Sequence, residues 1–168
     1  MAVHELYLIR HGAAEERGDA WPDDSKRPLT DDGIERMQAA ARGLIRLGVE
    51  LDVILTSPFV RARQTAETVA SAFEVRPPVV LVDSLTPNGS FQGVLNDLER
   101  QVKRARIALV GHEPDLGSIA ARLAGVRQAL PFKKGAVCRI DVRTIPPAGA
   151  GTLRWFMTAR ILGAIRKA

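Results

Sequence analysis

Leu6-Tyr7-Leu8-Ile9-Arg10-His11-Gly12 is the stretch on which the reading of this chain turns. Four consecutive apolar residues predict a strand covered on both faces, the pattern of a strand inside an α/β sheet. Such a strand delivers its last residues to the carboxyl edge of the sheet, where open α/β folds place their ligands. At that edge it presents a fixed cation, an imidazole capable of nucleophilic attack, and a glycine that lets another backbone or a ligand come close. Those parts suit attack on a phosphoryl group. Alone, the tripeptide fits equally an arginine capping a turn beside an ordinary strand-end histidine, so its meaning depends on the rest of the chain.

Strand and helix signals alternate outward from it. A polar loop from Ala13 to Leu29, with Pro22 and Pro28, leads to Thr30 as an N-cap, with Asp31 and Asp32 placed well against the helix dipole. Ile34, Met37, Ala41, Leu44 and Ile45 then recur at helical spacing, and Gly48 suits the stop. Val53 to Thr56 reads as the second strand. Ser57-Pro58 reads as a helix start, the hydroxyl as cap and the proline in the first turn, with Phe59, Ala62, Ala66, Val69, Ala70 and Phe73 facing inward. Val79 to Val82 predicts a third strand, and Ser90 to about Val102 a helix burying Phe91, Val94, Leu95 and Leu98. Ile107 to Val110 predicts a fourth strand, ending at Gly111-His112. Pro114 then opens a helix with Leu116, Ile119, Ala120 and Leu123 inward. Ala136 to Val142 and Thr152 to Met157 predict two antiparallel strands around the Pro146-Pro147-Ala148-Gly149 turn. From about Ala159 to Ala168 the chain reads as a short, basic, amphipathic helix packed on the domain. No repeat or linker interrupts the pattern, which predicts one α/β domain over residues 1–168 with a mostly parallel central sheet.

Composition narrows the function classes. With 168 residues, 46% of them hydrophobic and 26% charged, the chain has enough apolar material for one well-cored domain and no signature of disorder. It has no apolar run of about 18 residues and no cleavable leader pattern, which predicts a cytoplasmic protein without a membrane association. Cys138 has no partner for an internal disulfide, in keeping with a reducing compartment. The net charge of +5 draws on short, scattered clusters such as Lys103, Arg104 and Arg106, or Lys133 and Lys134. Without stacking aromatics or a nucleic-acid-binding motif, this charge predicts attraction for anionic substrates or acidic proteins, not nucleic acid. Only His4, His11 and His112 could serve as imidazole ligands, at no metal-site spacing, and no Walker-type glycine loop is present. No metal or other cofactor is therefore expected.

Three strand ends carry the chemistry. The first ends at Arg10-His11-Gly12, the second leads into Ser57-Pro58 with Arg61 on the first turn of its helix, and the fourth ends at Gly111-His112. Strands joined by crossover helices point the same way, so these groups should meet at one sheet edge beside helix N-termini that favour phosphate. Arg61 alone reads as a solvated helix residue and His112 alone as a turn histidine; their convergence with Arg10 and His11 carries the argument.

Leu8-Ile9-Arg10-His11-Gly12, Arg27-Pro28-Leu29-Thr30, Ser57-Pro58-Phe59, Arg61-Ala62, Gln64-Thr65-Ala66, Leu85-Thr86-Pro87-Asn88-Gly89 and Gly111-His112 together resemble the histidine phosphatase superfamily. They run in family order over about residues 1 to 145, and that fold is shared with cofactor-dependent phosphoglycerate mutases. The Arg-Pro-Leu-Thr and Leu-Thr-Pro elements, with the short chain, resemble its SixA branch of phosphohistidine phosphatases. The resemblance implies a three-layer α/β/α architecture and a covalent phospho-His11 intermediate. It implies that Arg10, Arg61 and His112 bind the phosphoryl oxygens and that Arg27 is an additional arginine of the SixA branch. Nearby Arg10 and Arg61 should keep His11 neutral and therefore nucleophilic.

The proton donor is where the pattern weakens. Asp83 and Glu113 are candidates by position, although each reads more readily as a cap or a solvated carboxylate. Phosphohistidine, with a labile P–N bond and an easily protonated leaving group, demands less of a donor than an alkyl phosphate. The loops also look short, predicting no large lid and an open, basic-rimmed site that would admit a phosphorylated side chain of a protein. The leading expectation is a metal-independent phosphohistidine phosphatase acting on protein. The alternatives are a small-molecule phosphomonoesterase on the same scaffold and a non-catalytic phosphate-binding module. A mutase would need a second phosphate site that nothing identifies.

Overall fold

The computed structural model describes residues 3–166. Its centre is a six-stranded sheet built from β1 (His4–Arg10), β2 (Val53–Thr56), β3 (Val79–Leu81), β4 (Arg106–Gly111), β5 (Val137–Val142) and β6 (Thr152–Met157). The order across the sheet is β3-β2-β4-β1-β5-β6. β1 to β4 run parallel, and β5 and β6 add an antiparallel edge. The continuous apolar runs in β1, β2 and β4 follow from their position: each has a strand on either side and helices above and below.

Helices α1 (Asp31–Arg46), α2 (Val60–Ser71) and α5 (Ala159–Ala164) cover one face. There Met37, Leu44, Ala62, Val69 and Leu162 pack on Tyr7, Ile9, Ile54 and Val110. Helices α3 (Phe91–Glu99) and α4 (Asp115–Ala124) cover the other, where Val94, Leu98, Leu116 and Leu123 pack on Leu6, Leu8, Leu55 and Leu109. The α/β/α layering is as the resemblance implies. α1 starts at its expected cap, Thr30 Oγ1 accepting the Gly33 N–H at 2.9 Å. α5 docks across α1 at a crowded crossing, where a Cβ on Gly43 would lie 2.0 Å from the Leu162 carbonyl oxygen.

Several local expectations change. Ile45 is 39% exposed, because the buried stripe of α1 centres on Met37, Ala40, Ala41 and Leu44 and the next residue turns about 100° away. β3 is an edge strand with Val80 and Leu81 exposed, which an apolar run alone does not distinguish from a central one. α2 begins at Val60, so Ser57-Pro58 precedes the helix instead of capping it. α3 stops at Glu99, and α5 at Ala164; the end expected for the last helix at 168 lies outside the described residues. No described helix is long and apolar enough to cross a membrane.

Candidate active site

Parallel pairing aligns three strand ends. Arg10 lies opposite Gly111, and Thr56 opposite Val110, so the chain leaves β1, β4 and β2 at the same edge. That edge holds His11, Arg61 and His112 as buried polar side chains, with Ser57 and Thr65 buried as well. The rings of His11 and His112 lie 5.2 Å apart between centroids. Phe59 packs edge-on against His112, and the Arg61 guanidinium lies over the Phe59 ring. The four residues expected to meet do so.

The protonation of His11 follows from its contacts. Nδ1 lies 2.7 Å from the Gly12 carbonyl oxygen, so it carries the N–H and leaves the Nε2 lone pair free. Burial pushes the His11 pKa down to about 3, with Arg61, Arg10 and Arg27 lowering it further against the opposing Gly12 carbonyl. Desolvation, not the arginines expected from the sequence, is thus the leading cause. A neutral imidazole with a free lone pair is ready to attack an electrophile. Gly12 serves packing as well as approach: a Cβ there would meet Met37 of α1 at 2.8 Å.

Ser57 is an active-site residue that helix-capping rules misassign. Its Oγ accepts the Phe59 N–H at 3.2 Å and lies 2.8 Å from His112 Nε2. Among the described residues Nε2 is the one acceptor within reach of the serine proton, so that proton goes to Nε2 and the neutral ring carries its own on Nδ1. That Nδ1 is buried and unpartnered, as are Arg10 Nε and Arg61 Nε. Unpartnered buried donors are costly unless a ligand takes them, and these three suit a phosphoryl group. His112 is also held neutral, its pKa pushed down to about 3 by burial and then by His11 and Arg61.

A second missed residue is Asp24. The segment 13–29, expected as a polar loop, is closed at its base by the Ala14–Leu29 bridge and by Leu29 N–H donating to Gln64 Oε1 at 2.7 Å. Its 3-10 turn, Asp24–Lys26, lies across α2. Arg61 donates to the Asp24 carbonyl at 2.8 Å and to its Oδ2 at 2.9 Å, while Arg27 Nε donates to Oδ1 at 2.9 Å. Arg27 also donates to the Glu15 carbonyl at 2.7 Å. Burial opposes the charge of Asp24, yet the Arg27 hydrogen bond and the Arg61 charge outweigh it and hold its carboxyl below the ordinary value. The expectation of short loops over an open site is corrected to this extent: the folded 13–29 loop lies over its Arg61 side.

Neither carboxylate expected as a donor makes a hydrogen bond to His11 or His112. Asp83 is exposed in a 3-10 turn after β3. Glu113 accepts from Gly117 N–H at 2.6 Å and from the Phe132 N–H, and burial raises its pKa. It ties the start of α4 to the Phe132 turn. On the same side Arg10 donates to the Phe132 carbonyl at 2.7 Å, and Gly135 N–H donates to the carbonyls of Arg10 and His11.

Known proteins share this sequence pattern and fold. The model of the histidine phosphatase superfamily (branch 1) matches residues 6–86. Phosphohistidine phosphatase SixA of Escherichia coli (strain K12) is 30% identical over 156 residues, covering 92% of this chain and 93% of that protein. An uncharacterized Picosynechococcus protein is 45% identical over 122 residues, 71% of this chain and 73% of the relative. The solved structure of the protein histidine phosphatase SixA complexed with tungstate superposes with a TM-score of 0.83 at 28% identity, covering 94% of this chain and 99% of that one. The chain belongs to the histidine phosphatase superfamily. Within it the chain is of the SixA type, and it is a hydrolase.

Proposed function

We propose that this protein hydrolyses phosphohistidine on other proteins through a phospho-His11 intermediate. The observation that carries the reading is the neutral, buried His11 with a free Nε2 lone pair, set among Arg10, Arg61, Arg27 and the Nδ1–H of His112. In the first step Nε2 attacks phosphorus in line while the P–N bond to the substrate histidine breaks. The bonding electrons leave with the substrate imidazole, which takes a proton from water. In the second step water attacks phospho-His11, the Nε2–P bond breaks, and phosphate departs with Nε2 restored. Arg10, Arg61, Arg27 and His112 offset the charge on the phosphoryl oxygens, and most of the rate enhancement comes from that fixed arrangement. A labile P–N bond fits a site where neither Asp83 nor Glu113 bonds to His11 or His112.

The test is a substrate panel: a histidine-phosphorylated protein beside sugar and nucleotide phosphates, on wild type and His11→Ala. Preference for the phosphohistidine protein, with radiolabelled phosphate trapped on His11 in wild type alone, is the expected result. Strong preference for the esters would assign the scaffold to small-molecule phosphomonoester hydrolysis instead.

A further inference from the structure

We propose that the groove between α1, the turn at Lys133-Lys134 and the start of α5 docks an acidic segment of the phosphoprotein beside its phosphohistidine. This rests on the phosphohistidine reading above and specifies the flanking chemistry of the substrate. The groove has a volume of about 720 Å³ and is lined at one end by Arg10 and Gly12, the residues on either side of His11 in the chain. Its floor includes Met37, Ala39 and Ala159, and its rim carries Arg36, Lys133, Lys134 and Arg160. Among the described residues no carboxylate lines it. Among the described residues Lys133, Lys134 and Arg160 form no ion pair, while Arg36 shares Asp32 at 2.7 Å.

Two other depressions on the surface show what is unusual here. One combines Arg42 and Arg76 with Glu67, the other Arg100 with Asp83 and Asp97. Both mix signs, as surfaces that serve no anion do. Gathering cations without counter-ions costs self-repulsion, and the arrangement raises the local concentration of a negatively charged partner. The exposed lysines are also poorly suited to gripping one small ligand, having long, mobile stems that snorkel into water. A histidine side chain reaching His11 obliges the protein that carries it to lie against the adjoining rim, and the rim next to Arg10 is this groove. An acidic segment with a few apolar residues would match both rim and floor, adding encounter rate and orientation more than buried affinity.

The experiment compares wild type with Lys133→Gln/Lys134→Gln/Arg160→Gln and with the corresponding triple glutamate variant. The probes are phosphohistidine peptides flanked by glutamates, the same peptides flanked by glutamines, and inorganic phosphoramidate. At about 0.15 M salt the glutamine variant should lose about tenfold in kcat/KM on the acidic peptide, mainly through KM, and the glutamate variant more. Turnover of the neutral peptide and of phosphoramidate should stay within about twofold, since all three side chains are exposed and outside the phosphoryl site. An equal loss on every probe, or no loss on the acidic peptide, would overturn the docking surface. If wild type cleaves acidic and neutral peptides alike, docking fails while the phosphohistidine reading stands. If wild type cleaves phosphoramidate but neither peptide, that reading fails and docking with it.

Discussion

The two flanks of His11 are built differently. On one, Arg61 and Arg27 share the carboxylate of Asp24, delivered by a loop closed at its base. On the other, Arg10 is hydrogen-bonded to a backbone carbonyl, and the neighbouring Lys133, Lys134 and Arg160 are exposed and, among the described residues, form no ion pair. The contrast teaches that positive charge serves two purposes here. A compensated arginine pair is rigid and holds its geometry before any phosphate arrives, whereas uncompensated cations are mobile and attract anions over distance. A phosphoryl group entering the Arg61 side competes with Asp24 for hydrogen bonds; one entering past Arg10 meets, among the described residues, no carboxylate hydrogen-bonded to that arginine, only the nearby charge of Glu113.

Removing what both flanks serve gives the largest effect. His11→Ala should lower kcat by at least about 10⁴-fold in a phosphohistidine assay while the circular dichroism spectrum stays native. Retained turnover would mean that the flanks are arranged around something other than this ring. Ser57→Ala comes next. It frees His112 to choose either tautomer, and kcat should fall by about 10- to 100-fold with little change in KM. An unchanged kcat would show that the hydroxyl only supports the turn before α2.

Asp24→Asn sharpens the comparison most directly, because it keeps an acceptor for Arg61 and removes the charge. Inorganic phosphate should then inhibit about tenfold more tightly, corresponding to about 1.4 kcal/mol less competition. Weaker inhibition would mean that Asp24 chiefly orders the arginines, making the two flanks more alike than their charges imply. Smallest in its bearing on turnover is the stability of the fold against pH. His11 and His112 have folded pKa values near 3, below the ordinary 6.5, so the unfolded chain binds their protons more readily. Stability should therefore fall as pH drops from about 6.5 towards about 3, each histidine adding up to about 1.4 kcal/mol per pH unit to the slope. Urea titrations of wild type and His112→Gln should differ by roughly that much between pH 5.5 and 4, and equal slopes would show that His112 is not held neutral.

Legibility in the sequence tracks the range of the interaction. Arg10, His11 and His112 can be found because each ends a continuous apolar strand, and parallel strands must end together. Arg61 follows from its place one turn into a helix at the same edge. Ser57 could not be assigned this way: Ser-Pro before a helix satisfies a local capping rule, while its actual partner His112 is 55 residues distant. Asp24 looks no different in sequence from Asp19 or Asp23, since a polar loop has no periodicity to say which carboxylate turns inward. The edge position of β3 was hidden for a similar reason, because strand order is a property of the sheet and not of the strand.

The sequence by itself determined the alternation of strands and helices, the apolar faces, and the histidines and arginines brought to one sheet edge. These follow from local periodicity and from the direction that parallel strands impose. Only the tertiary structure decided that burial keeps His11 neutral, that Ser57 orients His112, and that Asp24 compensates one flank while the other stays unpaired. Each depends on which distant group fills a site a few ångströms across, and desolvation and hydrogen-bond geometry are settled there, after the chain has closed.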